Sequence, residues 1–200
     1  VNGAELYRSN DLGFTWHKTH DSTLTNVYYS YGYYFGLVQA SPSNADHVFI
    51  AGVPLLQSLD GGTTFTYAGG DNVHADQHFI WINPNDPLHL ISGNDGGINI
   101  SYDGAQTWTK CNSPAVGQFY TVAVDNQKKY NVYGGLQDNG TWRGPNDYEY
   151  STSWHQEGNY PYQRIGGGDG MQVQIDPRDN TVYTGYQYGN YNYRDAAGKN

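Results

Sequence analysis

The stretch SLDGGTTF, Ser58 to Phe65, decides how this chain is read. Near copies stand at Ser9 to Trp16 (SNDLGFTW) and at Ser101 to Trp108 (SYDGAQTW). Each has a Ser, an Asp two places on, a Thr further along and then an aromatic residue. Alternating runs rich in β-branched and aromatic residues flank the copies, so each falls in a hairpin between two strands. There the side chain of Asp11, Asp60 or Asp103 accepts backbone N–H groups inside the turn. Gly13 and Gly62 permit the positive φ that tight hairpins use, and Ala105 in the same place predicts a slightly different third turn. Trp16, Phe65 and Trp108 open the next strand and are expected to pack between neighbouring sheets. A motif distributed once per structural unit cannot converge on one site, so the box reads as scaffold.

A second element recurs with it. It runs LVQASPSNADHVFIAG (Leu37–Gly52), FIWINPNDPLHLISG (Phe79–Gly93), VAVDNQKKYNVYGG (Val122–Gly135) and VQIDPRDNTVYTG (Val173–Gly185). The spacing of Pro42, Pro84, Asn126 and Pro177 marks a repeat of roughly 40 to 50 residues, the period of propeller blades. Each unit reads as four short strands, A to D, placed in the second at about 77–83, 88–93, 98–101 and 106–111. The expected fold is therefore all-β. It is a β-propeller of four-stranded antiparallel blades with the box in the C–D hairpin. It divides into a partial blade 1–33, blades 34–76 and 77–117, an irregular blade 118–168 and a partial blade 169–200. The irregular one has no clean box and carries a polar, Tyr-rich insertion from Gly144 to Arg164. Under four blades is too few for an ordinary ring, so a piece of a larger propeller is expected, with a four-bladed ring as the other option.

Composition agrees. Charged residues make up only 14%, while Gly has 26 copies and Tyr 20, a mixture that suits many turns and argues against helical bundles and disorder. The net charge of −9 argues against a nucleic-acid partner, whose backbone needs a basic surface, and reads as a solvated acidic surface. Cys111 is the single cysteine, so no intrachain disulfide forms. No apolar run reaches membrane-spanning length, and no signal peptide is visible.

In a meander the A–B and C–D turns share one end of a blade, and the B–C and D–A loops share the other. The second end collects the chemistry. His74, Asp76 and His78 precede one strand A, and Asn94 and Asp95 form its B–C loop. Gln137, Asp138 and Asn139 form the next B–C loop, and Asp169 lies in GGGDG. Tyr186 and Tyr188 stand in the last B–C loop, and a Tyr-rich run, Val27 to Phe35, enters the first full blade. Asp76, Asp95, Asp138 and Asp169 are the candidate catalytic carboxylates. His74, His78, Asn94, Gln137, Asn139, Tyr186 and Tyr188 are the candidate ligand-binding groups. Glu157, in the insertion, is a weaker acid. His74, Asp76 and His78 share a strand face and suit a metal with Asp95, although polar loop histidines are commoner; no metal or other cofactor is expected. Asp and Asn oxygens that bind calcium only to stiffen the loops are a minor option, without a calcium-loop spacing.

S-x-D-x-G-x-T-[WF] resembles the Asp-box (BNR) repeat of sialidase-like propellers. Together with the DP turns, GNDGG and GLQDNG, it resembles bacterial sortilin-like and xyloglucanase-like glycosyl hydrolase families. That resemblance implies an exported or cell-surface, carbohydrate-associated protein. Two functions are compatible with it. One is a glycoside hydrolase using paired aspartates on the B–C/D–A face, with aromatic side chains stacking on sugar rings. The other is a non-catalytic, sortilin-like module that binds a peptide, a glycan, a partner subunit or the rest of a larger propeller. The sialidase activity implied by the box alone needs three arginines gripping a carboxylate, and Arg8, Arg143, Arg164, Arg178 and Arg194 show no such placement.

Overall fold

The computed structural model describes residues 3–20, 22, 24–111, 117–149 and 160–195. The described chain is all-β apart from one 3-10 turn, Gln187–Gly189, and it divides into two compact units, Val1–Asn112 and Ser113–Asn200. None of its helices is long and apolar enough to cross a membrane.

Unit one opens with an interrupted antiparallel hairpin around the first box. Strand β1 (Gly3–Ala4) pairs with β4 (Leu24–Thr25), and β2 (Tyr7–Arg8) pairs with β3 (His17–Lys18). Two four-stranded antiparallel sheets follow. One runs in order β5 (Leu37–Ser41), β6 (Asn44–Ala51), β7 (Leu55–Ser58), β8 (Thr66–Tyr67). The other runs β9 (Gln77–Asn83), β10 (Asp86–Asn94), β11 (Gly97–Ser101), β12 (Thr109–Cys111). Period-two alternation sends Ile80 and Ile82 inward on β9, while Phe79 and Trp81 face out. Phe49, Ala51 and Leu55 from the first sheet meet Ile80, Ile82 and Leu90 from the second in one core. Each such Leu, Ile or Phe contributes about 1.5–3 kcal/mol by leaving water.

Unit two repeats the pattern with β13 (Phe119–Val124), β14 (Asn131–Leu136), β15 (Gly140–Pro145) and β16 (Gln163–Gly166). A three-stranded sheet follows: β17 (Val173–Ile175), β18 (Val182–Tyr186) and β19 (Asn190–Arg194). Its core is Tyr133, Val173 and Val182, with Ala123, Ile165 and Ile175 packed against them. The 144–164 insertion joins β15 to β16, and Glu157 lies outside the described residues.

The three boxes share one hydrogen-bond pattern. Asp60 Oδ1 accepts the Thr64 N–H at 2.8 Å and the Ser58 hydroxyl at 2.8 Å, while Oδ2 accepts the Thr64 hydroxyl at 2.6 Å. Asp11 does the same with Thr15 and Ser9, and Asp103 with Thr107 and Ser101. Ala105 keeps the left-handed φ, at 73°, that Gly13 and Gly62 hold at 91° and 93°. The third turn therefore keeps the same bonds, because the Ala105 methyl is buried in the core and offsets its backbone strain. Trp108 packs between sheets as expected, its indole N–H donating to the Ala68 carbonyl of the preceding sheet at 2.7 Å. Trp16 does not; it is 61% exposed, and its N–H donates to Gly13 O within its own box at 3.1 Å.

The Thr64 and Thr107 hydroxyls and N–H groups hold the Asp60 and Asp103 carboxyls down to about 2. A depressed carboxyl stabilises the fold above its unfolded value and loses that stabilisation as pH falls toward its folded value. Thermal midpoints are therefore expected to drop between about pH 4 and 2. Thr64→Val removes the largest of the bonds to Asp60, and NMR titration should show the Asp60 midpoint rise; an unmoved midpoint would refute this account of the turn.

The box and the A–B turn share one end of each sheet. Gly61 N–H donates to Asp46 O at 2.8 Å, and Gly104 N–H to Leu88 O at 2.9 Å. The opposite end of each sheet is left to the B–C turn and the loop into strand A.

Candidate functional site

In unit one the loop before β9 and the β10–β11 turn meet. Phe79 pairs with Gly93 and Gln77 with Asn94, so His78 is an extra residue on β9, a β-bulge. The bulge aims the His78 imidazole at the turn, where Nε2 lies 2.5 Å from Asp95 Oδ1. Tyr34 and Phe35 stand edge-on and tilted against the same imidazole, with centroids at 5.7 and 6.0 Å. They line an open depression with Gly36, Leu37, Gln77 and His78.

Asp76 lies beside this pair. Its backbone is left-handed, φ 63°, and its N–H donates to Val53 O at 2.9 Å. A carboxylate oxygen of Asp76 and one of Asp95 lie within 4.8 Å of each other. Burial first, and the Asp95 charge second, push the Asp76 carboxyl up, against opposing pulls from His74 and His78. The arrangement strains the backbone and crowds two acids. A raised carboxyl binds its proton better in the folded state, so stability falls as pH rises from the ordinary Asp value through the raised one. Asn tolerates the left-handed region and does not ionise. Asp76→Asn is therefore expected to be more stable at pH 7, by no more than about 1 kcal/mol after solvent screening, and the gain should vanish below about pH 4. Denaturant melts at both pH values measure it; equal stabilities at pH 7 would contradict the crowding.

The remaining candidates in this unit support the turn. Asn94 is buried, its amide N–H donating to Asn99 Oδ1 at 3.0 Å and its Oδ1 accepting Gly96 N–H at 3.0 Å. His74 Nδ1 donates to Ala75 O at 3.0 Å, and its Cβ leaves no room for a side chain on Gly96. Gln77 is buried between Ser92 and His74 O.

In unit two the β14–β15 turn interlocks with the Gly-rich loop after β16. Asp169 Oδ1 accepts the Asp138 N–H at 2.7 Å, and Asp169 N–H donates to Gln187 Oε1 at 2.9 Å. Gly140 N–H donates to Gly168 O, and Gly170 N–H to Leu136 O, each at 2.9 Å. A Cβ on Gly170 would fall 2.2 Å from Gly140 O, so only glycine allows this approach. Asn139 Nδ2 donates to Gln137 O at 3.0 Å, which ties those two candidates to their own turn. Tyr188 is fully exposed at φ 64°, while Tyr186 is half-buried. Gln187 was not legible as a site residue, because a neutral amide in a Tyr-rich loop carries no chemical signal.

Four of the arginines have partners of their own, and Arg143 and Arg194 line one small cavity. Arg8 pairs with Asp46 and Arg178 with Asp176, each at 2.5 Å, Arg143 donates to Gln163 and Arg164 to Gly166 O.

The class of protein is an all-β chain of antiparallel sheets, three of them four-stranded, with acid-bearing turns at one end of the β9–β12 and β13–β16 sheets. Neither a protein-family model nor a curated protein matches the chain. Among solved structures it is similar to a GH74 enzyme of Niastella koreensis, at 16% identity and TM-score 0.48, over 92% of this chain and 30% of that one. It is similar to the GH74 xyloglucanase of Xanthomonas campestris at 12% identity and TM-score 0.46, over 97% of this chain and 34% of that one. It is also similar to YCF48, solved bound to D1 peptide, at 15% identity and TM-score 0.41, over 98% of this chain and 59% of that one. The chain thus spans about a third of the length of the two GH74 enzymes.

Proposed function

We infer that this chain is part of an exported β-propeller protein that binds a glycan and hydrolyses it with Asp76 and Asp95. One observation carries the reading: two carboxylates within 4.8 Å, one of them pushed up by burial and by the charge of the other. Glycoside hydrolysis uses such a pair, the protonated member giving its proton to the leaving oxygen. Asp76 is that acid. Asp95, hydrogen-bonded to His78, is its partner, and the short separation favours nucleophilic attack with retention, for which carboxyl groups stand roughly 5 Å apart. Tyr34 and Phe35 beside His78 supply the apolar faces on which a sugar ring stacks.

The second reading, a recognition module without chemistry, is favoured by unit two. There an oxygen of Asp169 already accepts a backbone N–H of the neighbouring turn, as structural carboxylates do. Release of reducing ends from a panel of plant and microbial polysaccharides separates the two. Cleavage abolished by Asp76→Asn and Asp95→Asn supports the hydrolase. Binding without release moves the weight to the module.

A further inference from the structure

The strand register assigns a role to a residue that the hydrophobic pattern hides. In unit two, Phe119 pairs with Leu136 and Thr121 with Gly135, which leaves Tyr120 as an extra residue on β13. His78 holds the same place on β9 in unit one. Both bulges lie on the first strand of a four-stranded sheet. Both stand against the end of the second strand, immediately before an acid-bearing turn. A bulge kinks the strand and re-aims its extra side chain, and bulges gather next to sites for that reason. The device that delivers His78 to Asp95 thus recurs with a tyrosine.

The surroundings of Tyr120 differ in chemistry from those of His78. Burial first, then the charges of Asp169 and Asp138, keep the proton on its phenol, so the hydroxyl is a donor. Asp169 is held in place through Asp138 N–H and Gln187. A Cβ on Gly168 would fall 2.4 Å from Gln187 Oε1, so glycine there lets that amide reach the Asp169 N–H.

We propose that Tyr120, with Asp138 and Asp169, forms a binding position for a neutral sugar ring in unit two. A hydroxyl that donates beside carboxylates that accept matches the adjacent hydroxyls of a sugar, each of which donates and accepts. Two carboxylates repel uronate, sulfate and sialate groups. A calcium ion would need six to eight oxygens, whereas here a backbone N–H already points at one Asp169 oxygen. The inference rests on the glycan reading above but not on cleavage.

The test is an NMR titration of the full chain with cellohexaose, mannohexaose and N-acetylchitohexaose, beside trigalacturonate and calcium chloride. At least one neutral hexasaccharide is expected to bind, and trigalacturonate is not. Tyr120→Phe should weaken that binding roughly five- to tenfold, the effect of one hydrogen bond, with an unchanged melting temperature. No neutral binding, binding equal in Tyr120→Phe, or perturbation of the Tyr120 neighbourhood by calcium alone would overturn the proposal. A chain that binds through Tyr120 but cleaves nothing refutes only the hydrolase. A chain that cleaves yet ignores Tyr120→Phe refutes only this position.

Discussion

Asp76→Asn and Asp95→Asn are each expected to lower glycan cleavage at least about a thousandfold while the chain stays folded, since general acid catalysis and a covalent nucleophile each contribute on that scale or above. The two losses should not add, because removing either member of a concerted pair removes the shared step. Asp76 must be protonated to act, and its carboxyl is raised, so the rate should fall as pH climbs through that raised value. The optimum is therefore acidic. Asp60→Asn and Asp103→Asn, in the box turns at the opposite end of the sheets, are the controls and should retain the chemical step. The assay is initial-rate release of reducing ends, with circular dichroism on every variant. Full activity in Asp95→Asn, or the same loss in all four, would defeat the assignment.

Asp125→Ala is expected to lower the stability of unit two by about 3 kcal/mol, the cost of orphaning several buried polar groups. Asp125 is only 3% exposed. Its Oδ1 accepts Asn131 N–H at 3.0 Å and Gln127 N–H at 3.2 Å, and its Oδ2 accepts Asn131 Nδ2 at 2.7 Å, Gln127 Nε2 at 3.2 Å and the Tyr133 hydroxyl at 3.0 Å. Burial alone would push this carboxyl up, but the bonds from Asn131, Gln127 and Tyr133 together outweigh it and hold it low. Its stabilisation is therefore present above the unfolded Asp range and fades as pH falls through the depressed value. Asp125→Asn should be intermediate: it keeps the shape but turns an N–H₂ toward donors. A fall of more than about 10 °C in the unit-two thermal transition is expected for Ala, and a shift under about 2 °C would show that the turn reforms its bonds without the acid.

The same physics explains what could be read ahead of the structure. Box, A–B turn and strand alternation are local, so Asp60, Asp103 and the strands around Ile80 and Leu90 were legible. Strand β10 runs from Asp86 to Asn94, beyond the expected 88–93, because its register breaks between Asp86 and Leu90 and the ladder resumes after the irregularity. The acids at one end of the sheets were legible as a group, since a meander fixes which turns share an end. Their roles were not. Asp76 and Asp169 are both single acids in polar loops, yet one is crowded by a second carboxylate and the other accepts a neighbouring turn's N–H. Burial of that kind comes from segments distant in the chain, and no local pattern reports it.

By itself the sequence determined the all-β class, the hairpin turns and the end of each sheet at which chemistry collects, because turn chemistry and period-two patterning act within a few residues. Only the tertiary structure decided that His78 and Tyr120 are bulge residues, that burial and Asp95 push the Asp76 carboxyl up, and that Trp108 is buried while Trp16 is not. Each of these follows from the register and packing of strands that meet across the sheet, where a shift of one residue turns a side chain to the other face.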